Sequence, residues 1–143
     1  MKKGFTLIEL LVVISIIGIL MAISIIGLAG AREASRDAKR KSDLEMMRSG
    51  LELYKADCGV YPTLAQFVFG SSLKGSGTPT SCSSTNTYIS EIPQDPVSTR
   101  FYVYVPFDGR YAICTSLEKG GTYTGCGGGN CGGTGCNYYV NNP

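Results

Sequence analysis

Residues 2–20 read KKGFTLIELLVVISIIGIL, and the interpretation of the whole chain depends on this stretch. From Phe5 to Ala31 there are 27 residues, and Glu9 is the only charged residue among them. At roughly 1.5 Å per residue, a helix over this segment is about 40 Å long, enough to cross the ~30 Å hydrocarbon core of a bilayer. The segment therefore predicts a membrane-spanning helix that carries one carboxylate.

Three interpretations of this segment compete: a plain membrane anchor, a cleaved secretory signal, and an assembly helix that packs against copies of itself. Lys2 and Lys3, with the small residues at 29–31, fit a secretory signal. Glu9 separates the three, because an ionised carboxylate inside a bilayer costs about 3 kcal/mol and neither an anchor nor a signal needs one.

An assembly helix has a use for Glu9, because the carboxylate can pair with a positive group on a neighbouring copy. Small residues along the segment favour the same interpretation, since they let helices approach closely. They are Ser15, Gly18, Ala22, Ser24, Gly27 and Gly30.

The residues Lys3-Gly4-Phe5-Thr6-Leu7-Ile8-Glu9, followed by an apolar helix, resemble the prepilin signature of type IV pilins and type II secretion pseudopilins. The resemblance implies that a prepilin peptidase removes residues 1–4 by cleaving between Gly4 and Phe5, and that it methylates the new amino group of Phe5. It also implies that Glu9 pairs with the N-terminal amine of a neighbouring subunit. Many pilins have a proline in the second half of this helix, whereas residues 23–27 here contain none.

The resemblance further implies partners and a location. The partners are copies of the chain, other pilin-like subunits, the prepilin peptidase, membrane lipid and an assembly platform. The chain is then a single-pass membrane protein with an extracytoplasmic head, and after assembly it is part of a surface pilus or a pseudopilus. The sequence leaves open whether that filament is a type IV pilus, a competence pilus or a secretion pseudopilus. The alternative interpretation is a single-span, membrane-anchored binding module that does not depend on Glu9.

The composition argues against catalysis and against nucleic-acid binding. The 143 residues include no histidine, which removes the commonest general base and the commonest zinc ligand. The sequence also lacks paired acids at a useful spacing and a phosphate-binding glycine loop between a strand and a helix. The formal net charge of +2 is too small to indicate a nucleic-acid surface. We therefore expect a structural protein without a cofactor or a metal.

After the membrane segment (5–31), the sequence predicts that the same helix continues as an amphipathic half over residues 32–58. Apolar or small residues recur there at three- and four-residue steps and define one buried face. They are Ala31, Ala34, Ala38, Leu44, Met47, Leu51, Tyr54 and Cys58. Gly50 is a weak point in this helix. We expect the basic residues on a solvated face of the helix. They are Arg32, Arg36, Lys39, Arg40 and Lys41.

Residues 59–143 predict a globular head. Thr63 with Gln66 resembles a helix capping box and predicts a short helix that ends at Gly70. Strands are expected at 87–92, 101–105 and 111–115, and the turn PFDG at 106–109 joins the last two.

Alternate residues of the middle strand point to opposite faces, so Tyr102 and Tyr104 lie on one face and Phe101, Val103 and Val105 on the other. The inner face of the sheet needs a cover, which the apolar stripe of the long helix supplies. The predicted fold is α+β and pilin-like, with a long N-terminal helix packed on a small antiparallel sheet.

The cysteines predict disulfides in an oxidising compartment, although the positive-inside rule taken alone places the head in the cytoplasm. The candidates are Cys58, Cys82, Cys114, Cys126, Cys131 and Cys136. Nine of the 17 residues in 120–136 are glycine, so covalent bonds are expected to hold this tail. The sequence does not fix the pairing; our hypothesis joins Cys58 to Cys82 and leaves Cys114 to pair with the tail.

Metal binding is the alternative use of the head's polar residues. A thiolate zinc site requires closely spaced pairs of cysteines, and the spacing here does not match. The resemblance admits calcium, which some secretion pseudopilins bind in the C-terminal region. The nearest acids are Asp95, Asp108 and Glu118, and we expect them to be turn and surface residues.

Overall fold

The computed structural model describes residues 4–120, 126 and 129–142. Residues 1–3, 121–125, 127, 128 and 143, and the side chains at 25–27 and 29, lie outside this description. The chain divides into two compact units, Met1–Ser35 and Arg36–Pro143, which are taken in turn. The elements are α1 (Leu7–Cys58), β1 (Leu73–Lys74), β2 (Thr87–Ile89), β3 (Val103–Phe107), β4 (Arg110–Thr115) and β5 (Tyr138–Asn141).

The first unit consists of the beginning of α1. Every residue from Gly4 to Ser24 is exposed, including all the large apolar side chains. The hydroxyls of Ser15 and Ser24 donate to the carbonyls four residues earlier at 2.7 and 2.9 Å, so neither polar group needs an outside partner. The helix is unbroken through residues 23–27, where many pilins carry a proline.

The second unit is built on the rest of α1. Leu44, Met47, Leu51 and Tyr54 are at most 1% exposed and form the centre of its core, as the apolar periodicity predicts. The expected continuation of this buried stripe toward Ala38 is wrong, because that alanine is exposed. The buried positions one and two turns before Leu44 are Arg40 and Asp37 instead. Periodicity of apolar residues fails there because the helix meets charged residues of the head.

The head contains a three-stranded antiparallel sheet in the order β3-β4-β5 and a two-stranded sheet of β1 and β2. In β3 and β4, Val103 pairs with Cys114 and Phe107 with Arg110. Asp108 and Gly109 connect them with φ angles of 40° and 71°, the conformation of a two-residue type I′ turn. The predicted hairpin is therefore confirmed.

The tyrosine face of β3 is the inner face of the sheet. Tyr102 and Tyr104 are 3% and 4% exposed, whereas Phe101 and Val105 are 51% and 36% exposed. The Tyr102 hydroxyl donates to the carboxylate of Asp43 on α1 at 2.9 Å. Burial, reinforced by this carboxylate, raises the pKa of Tyr102. The tyrosines thus join the sheet to the helix by packing and hydrogen bonding together.

Three local expectations need correction. The segment after Thr63 is a turn rather than a short helix, although the Thr63 amide and hydroxyl both donate to the Gln66 side chain at 2.9 and 3.0 Å. The strand expected at 87–92 ends at Ile89, because the chain bends there to bring Ile92 against Ser71. Strands β1 and β5 were not expected, since β1 has two residues and β5 follows the glycine-rich tail.

The cysteines form three disulfides: Cys58–Cys82, Cys114–Cys126 and Cys131–Cys136. The first pairing is the one proposed from the sequence, and it belongs to the main core. The other four cysteines form a separate buried cluster against Val103 and Ala112 on the outer face of the sheet. The described part of the tail is therefore held by covalent bonds, as its glycine content leads one to expect.

Gly50 provides the space for the two-stranded sheet to approach α1. A Cβ atom at this position would lie 2.3 Å from Cγ1 of the buried Ile89. We expect Gly50→Ala to lower the free energy of unfolding by about 1–3 kcal/mol, because overpacking outweighs the gain in helix propensity. Thermal unfolding measures the change.

Gly18→Ala is the matched control, because Gly18 is a helical glycine with nothing within 4 Å of its added Cβ. Combining Gly50→Ala with Ile89→Val should recover part of the loss. A Gly50→Ala protein as stable as the wild type would contradict the close-packing explanation.

Candidate functional site

The predicted processing and assembly residues lie together at the start of α1. Gly4 and Phe5 precede the helix, and Phe5 is 85% exposed. The amide and the hydroxyl of Thr6 both donate to the Glu9 carboxylate, at 3.1 and 2.9 Å. The Glu9 amide in turn donates to the Thr6 hydroxyl at 3.3 Å. This reciprocal arrangement is a capping box, with Thr6 as the N-cap of the helix and Glu9 three residues into it.

The capping box adds Thr6 to the candidate functional residues, although the sequence analysis gave Thr6 no role of its own. Thr6-Leu7-Ile8-Glu9 has the T-x-x-E spacing that signals a helix N-terminus before an apolar run, and this pattern identifies Thr6. The arrangement supplies hydrogen-bond donors to the Glu9 carboxylate from its own chain. The carboxylate nevertheless stays exposed, so it is accessible to a partner.

The surface that follows Glu9 is apolar and uncovered. Leu7–Ser24 has a mean hydropathy of 2.7 and none of it is buried, so by length and composition it qualifies as a membrane span. A signal sequence near the N-terminus meets the same criterion, and hydropathy alone does not separate the two. The segment is suited to burial in lipid or against other apolar helices.

A buried ionic cluster joins α1 to the head in the second unit. The Arg40 side chain is fully buried and donates to Asp37, Asp95 and Glu118 at distances of 2.8–3.0 Å. Arg36 also pairs with Glu118. Hydrogen bonds with Asp95 raise the pKa of Arg40 above its ordinary value. A buried guanidinium is tolerated here because three carboxylates satisfy its donors.

The backbone contributes to the same cluster. The amides of Glu118 and Lys119 donate to the two oxygens of Asp37 at 2.8 and 2.9 Å. Burial opposes ionisation of Asp37, but these hydrogen bonds and the one from Arg40 outweigh it and lower its pKa. The segment after β4 is therefore fixed directly to the helix.

The cluster overturns two expectations from the sequence. Arg40 and Arg36 are not on a solvated helix face, although Arg32, Lys39 and Lys41 are exposed. Three acids were expected to be turn and surface residues. Asp95 and Glu118 instead bind Arg40, and only Asp108 lies in an exposed turn. Within the described residues, no group of three or more histidine, cysteine or acidic side chains is placed to hold a metal ion.

Comparison with known families gives two matches, one to the start of the chain and one to most of the remainder. Residues 1–29 match the prokaryotic N-terminal methylation motif. Residues 28–129, most of the chain, match type II secretion system (T2SS), protein G. The chain belongs to the type II secretion system protein G family.

Individual relatives agree with this assignment. The type II secretion system core protein G of Dickeya chrysanthemi is 34% identical over 73% of this chain and 69% of its own length. The proteins of that name from Vibrio cholerae serotype O1 and Klebsiella michiganensis are 30% and 36% identical and cover 90% and 83% of this chain, and 91% and 85% of their own lengths. No solved structure gives a significant match. The sequence left open whether the chain is a pilin, a secretion pseudopilin or an anchored binding module. Membership in the protein G family identifies it as a pseudopilin.

The ionic cluster makes the free energy of unfolding depend on pH in the acidic range. Hydrogen bonds from Arg36, and then from Arg40, lower the pKa of Glu118 from 4.5 to about 2. A lowered carboxyl pKa stabilises the folded state above the unfolded value, and this contribution is lost as the pH falls through the folded value. We expect the free energy of unfolding, from urea titrations in detergent, to decrease between pH 4.5 and about 2. In Glu118→Gln the decrease should be shallower; an unchanged slope would exclude Glu118 as its source.

Removing Arg40 should be far more costly than removing its neighbour Lys39. Arg40→Ala leaves buried carboxylates without a cation and is expected to cost about 3–5 kcal/mol of stability. Lys39→Ala removes a 62% exposed ammonium paired with Asp43, so less than about 1 kcal/mol should be lost. Parallel chemical unfolding of both variants provides the comparison. Equal losses would mean that the cluster does not stabilise the head as described.

Proposed function

We propose that this protein is a structural subunit of a type II secretion pseudopilus and is assembled through α1. The chain is made as a prepilin, cleaved between Gly4 and Phe5, and N-methylated on Phe5. The first unit anchors it in the membrane with the head outside the cytoplasm. Assembly then transfers α1 from lipid to contact with copies of the chain and with other pseudopilins.

One observation carries the proposal. A fully exposed apolar helix surface begins at a carboxylate that its own chain hydrogen-bonds but leaves accessible. Such a surface is unstable in water and requires either lipid or other apolar helices. In the filament, the Glu9 carboxylate pairs with the new amino terminus of a neighbouring subunit, so two charges are buried together rather than one alone.

The head supports a structural rather than a catalytic role. Its buried acids, Asp37, Asp95 and Glu118, are engaged with arginine side chains or backbone amides. The hydroxyls of the buried Tyr102, Tyr111 and Tyr104 donate to Asp43, to Glu52 and to a backbone carbonyl. These groups hold the fold together and are not free for chemistry. The inferred location of the head, outside the cytoplasm, agrees with its three disulfides.

The charge of Glu9 can be tested separately from its capping role. Glu9→Gln keeps a capping-box acceptor but removes the charge, whereas Thr6→Ala removes the cap and keeps the charge. In cells with a prepilin peptidase and a type II secretion system, we expect Glu9→Gln to reach the membrane normally. It should form at least about tenfold fewer filaments, because the neighbouring amine loses its counter-ion.

Thr6→Ala is the matched control and should assemble better than Glu9→Gln. The measurement is the amount of sheared filament relative to membrane-bound subunit. If Thr6→Ala is the more defective variant, Glu9 acts as a cap rather than as an assembly charge. If both variants assemble normally, filament assembly depends on neither the charge of Glu9 nor the cap at Thr6.

A further inference from the structure

A groove of about 330 Å³ lies on the head beside the ionic cluster and shares Asp95 with it. Two aromatic side chains, Phe69 and Phe101, line it together with Arg100. Phe101 is 51% exposed, whereas the adjoining Tyr102 is 3% exposed on the opposite face. The volume is at the lower end of the range for pockets that take a small ligand or a few side chains.

Arg100 gives this groove a preference for a negatively charged partner. Its Nη1 donates to the Ser116 carbonyl at 3.0 Å, and among the described residues no carboxylate pairs with it. Asp95 also lines the groove, but its oxygens are already bound by Arg40 and by the Val97 amide. The groove therefore combines aromatic walls with a half-buried cation that lacks a counter-ion.

The groove is held in shape before any partner arrives. The Arg100 amide donates to the Val97 carbonyl at 2.9 Å, and the Gly70 amide to the Ile92 carbonyl at 2.7 Å. Gly132 of the tail packs against this wall so closely that a Cβ atom there would lie 2.3 Å from the Thr99 carbonyl oxygen. A preformed site loses less conformational entropy when it binds.

The same head presents a complementary feature at the tip of the β3–β4 hairpin. Phe107 is 47% exposed, and the next residue, Asp108, is exposed at the type I′ turn. No hydrogen bond to the Asp108 carboxylate is found among the described residues. The tip thus offers an aromatic ring and an unpaired carboxylate on a two-residue turn, which has little freedom to rearrange.

The groove and the tip are at different ends of the head. The groove adjoins Arg40 through Asp95, whereas the tip lies against Lys55 and Val60 at the end of α1. Along the helix, Arg40 and Lys55 are about 22 Å apart at roughly 1.5 Å per residue. The tip therefore does not reach its own groove, and a tip-to-groove contact needs a second copy; repeated from copy to copy in one direction, such a contact is heterologous. Heterologous contacts that do not close a ring produce open filaments.

We propose that the hairpin tip of one head, Phe107–Asp108, docks into the Phe69–Arg100–Phe101 groove of a second copy. Asp108 pairs with Arg100, and the Phe107 ring packs against the two aromatic walls. This inference rests on the proposed function, because it describes how neighbouring heads are held in the filament. It adds a contact between heads to the assembly provided by α1.

A photo-reactive phenylalanine analogue, p-benzoylphenylalanine, at position 107 tests the contact in the full-length chain during assembly. We expect a cross-linked dimer in which position 107 of one copy is attached to residues 94–102 of the other. A second analogue at Val12 reports packing of the apolar helices independently. Attachment to another region or another protein, or no dimer while Val12 cross-links, overturns the head contact and leaves the proposed function intact. Failure of both positions to cross-link overturns both.

Charge reversal provides the second test. Asp108→Lys and Arg100→Glu should each reduce the yield of cross-linked dimer and of filament about tenfold, because like charges then meet at the contact. The double variant restores opposite charges and should recover most of the yield. Arg110→Glu, which alters an exposed cation beside the tip, is the control and should have little effect. Thermal unfolding verifies that each head is folded, and two folded single variants with no rescue in the double would contradict the pairing.

Discussion

The fold of the head depends on the burial of one cation. Arg40 is completely enclosed, and its guanidinium binds carboxylates from α1, from the loop after β2 and from the segment after β4. Each of these carboxylates would be costly to bury alone, and so would the arginine. The cluster is therefore stable only when all of its parts are present. This requirement fixes the loop after β2 and the segment after β4 in position against α1.

The rest of the head follows from that arrangement. C-terminal to the cluster, apolar residues of α1 pack against the tyrosine face of the sheet. The hydroxyls of Tyr102 and Tyr111 donate to carboxylates of α1, and the hydroxyl of Tyr104 donates to the Pro62 carbonyl. On the other face, four cysteines form a second cluster that ties the tail to β4. The two layers have different chemistry because the tail, with its many glycines, has few side chains to bury.

The sequence alone predicts the parts of the fold that depend on hydrophobic periodicity or on short motifs. The long helix, the β3–β4 hairpin and the alternation of Tyr102 and Tyr104 with Val103 all follow from local patterns. The Arg40 cluster did not, because two of its three carboxylates are 55 and 78 residues away, and a charged residue on a helix normally indicates a solvated face. The capping box at Thr6, by contrast, has a local signal in the T-x-x-E spacing of residues 6–9 and is predictable from it.

We propose that α1 carries two kinds of surface: a start that is processed and assembled, and a continuation that holds the head. Mass spectrometry of the N-terminal peptide, from membranes of cells with their own prepilin peptidase, tests it most directly. We expect a chain that begins with N-methylated Phe5. A chain that begins at Met1, or one that begins near Arg32 after removal of the whole apolar segment, would contradict it.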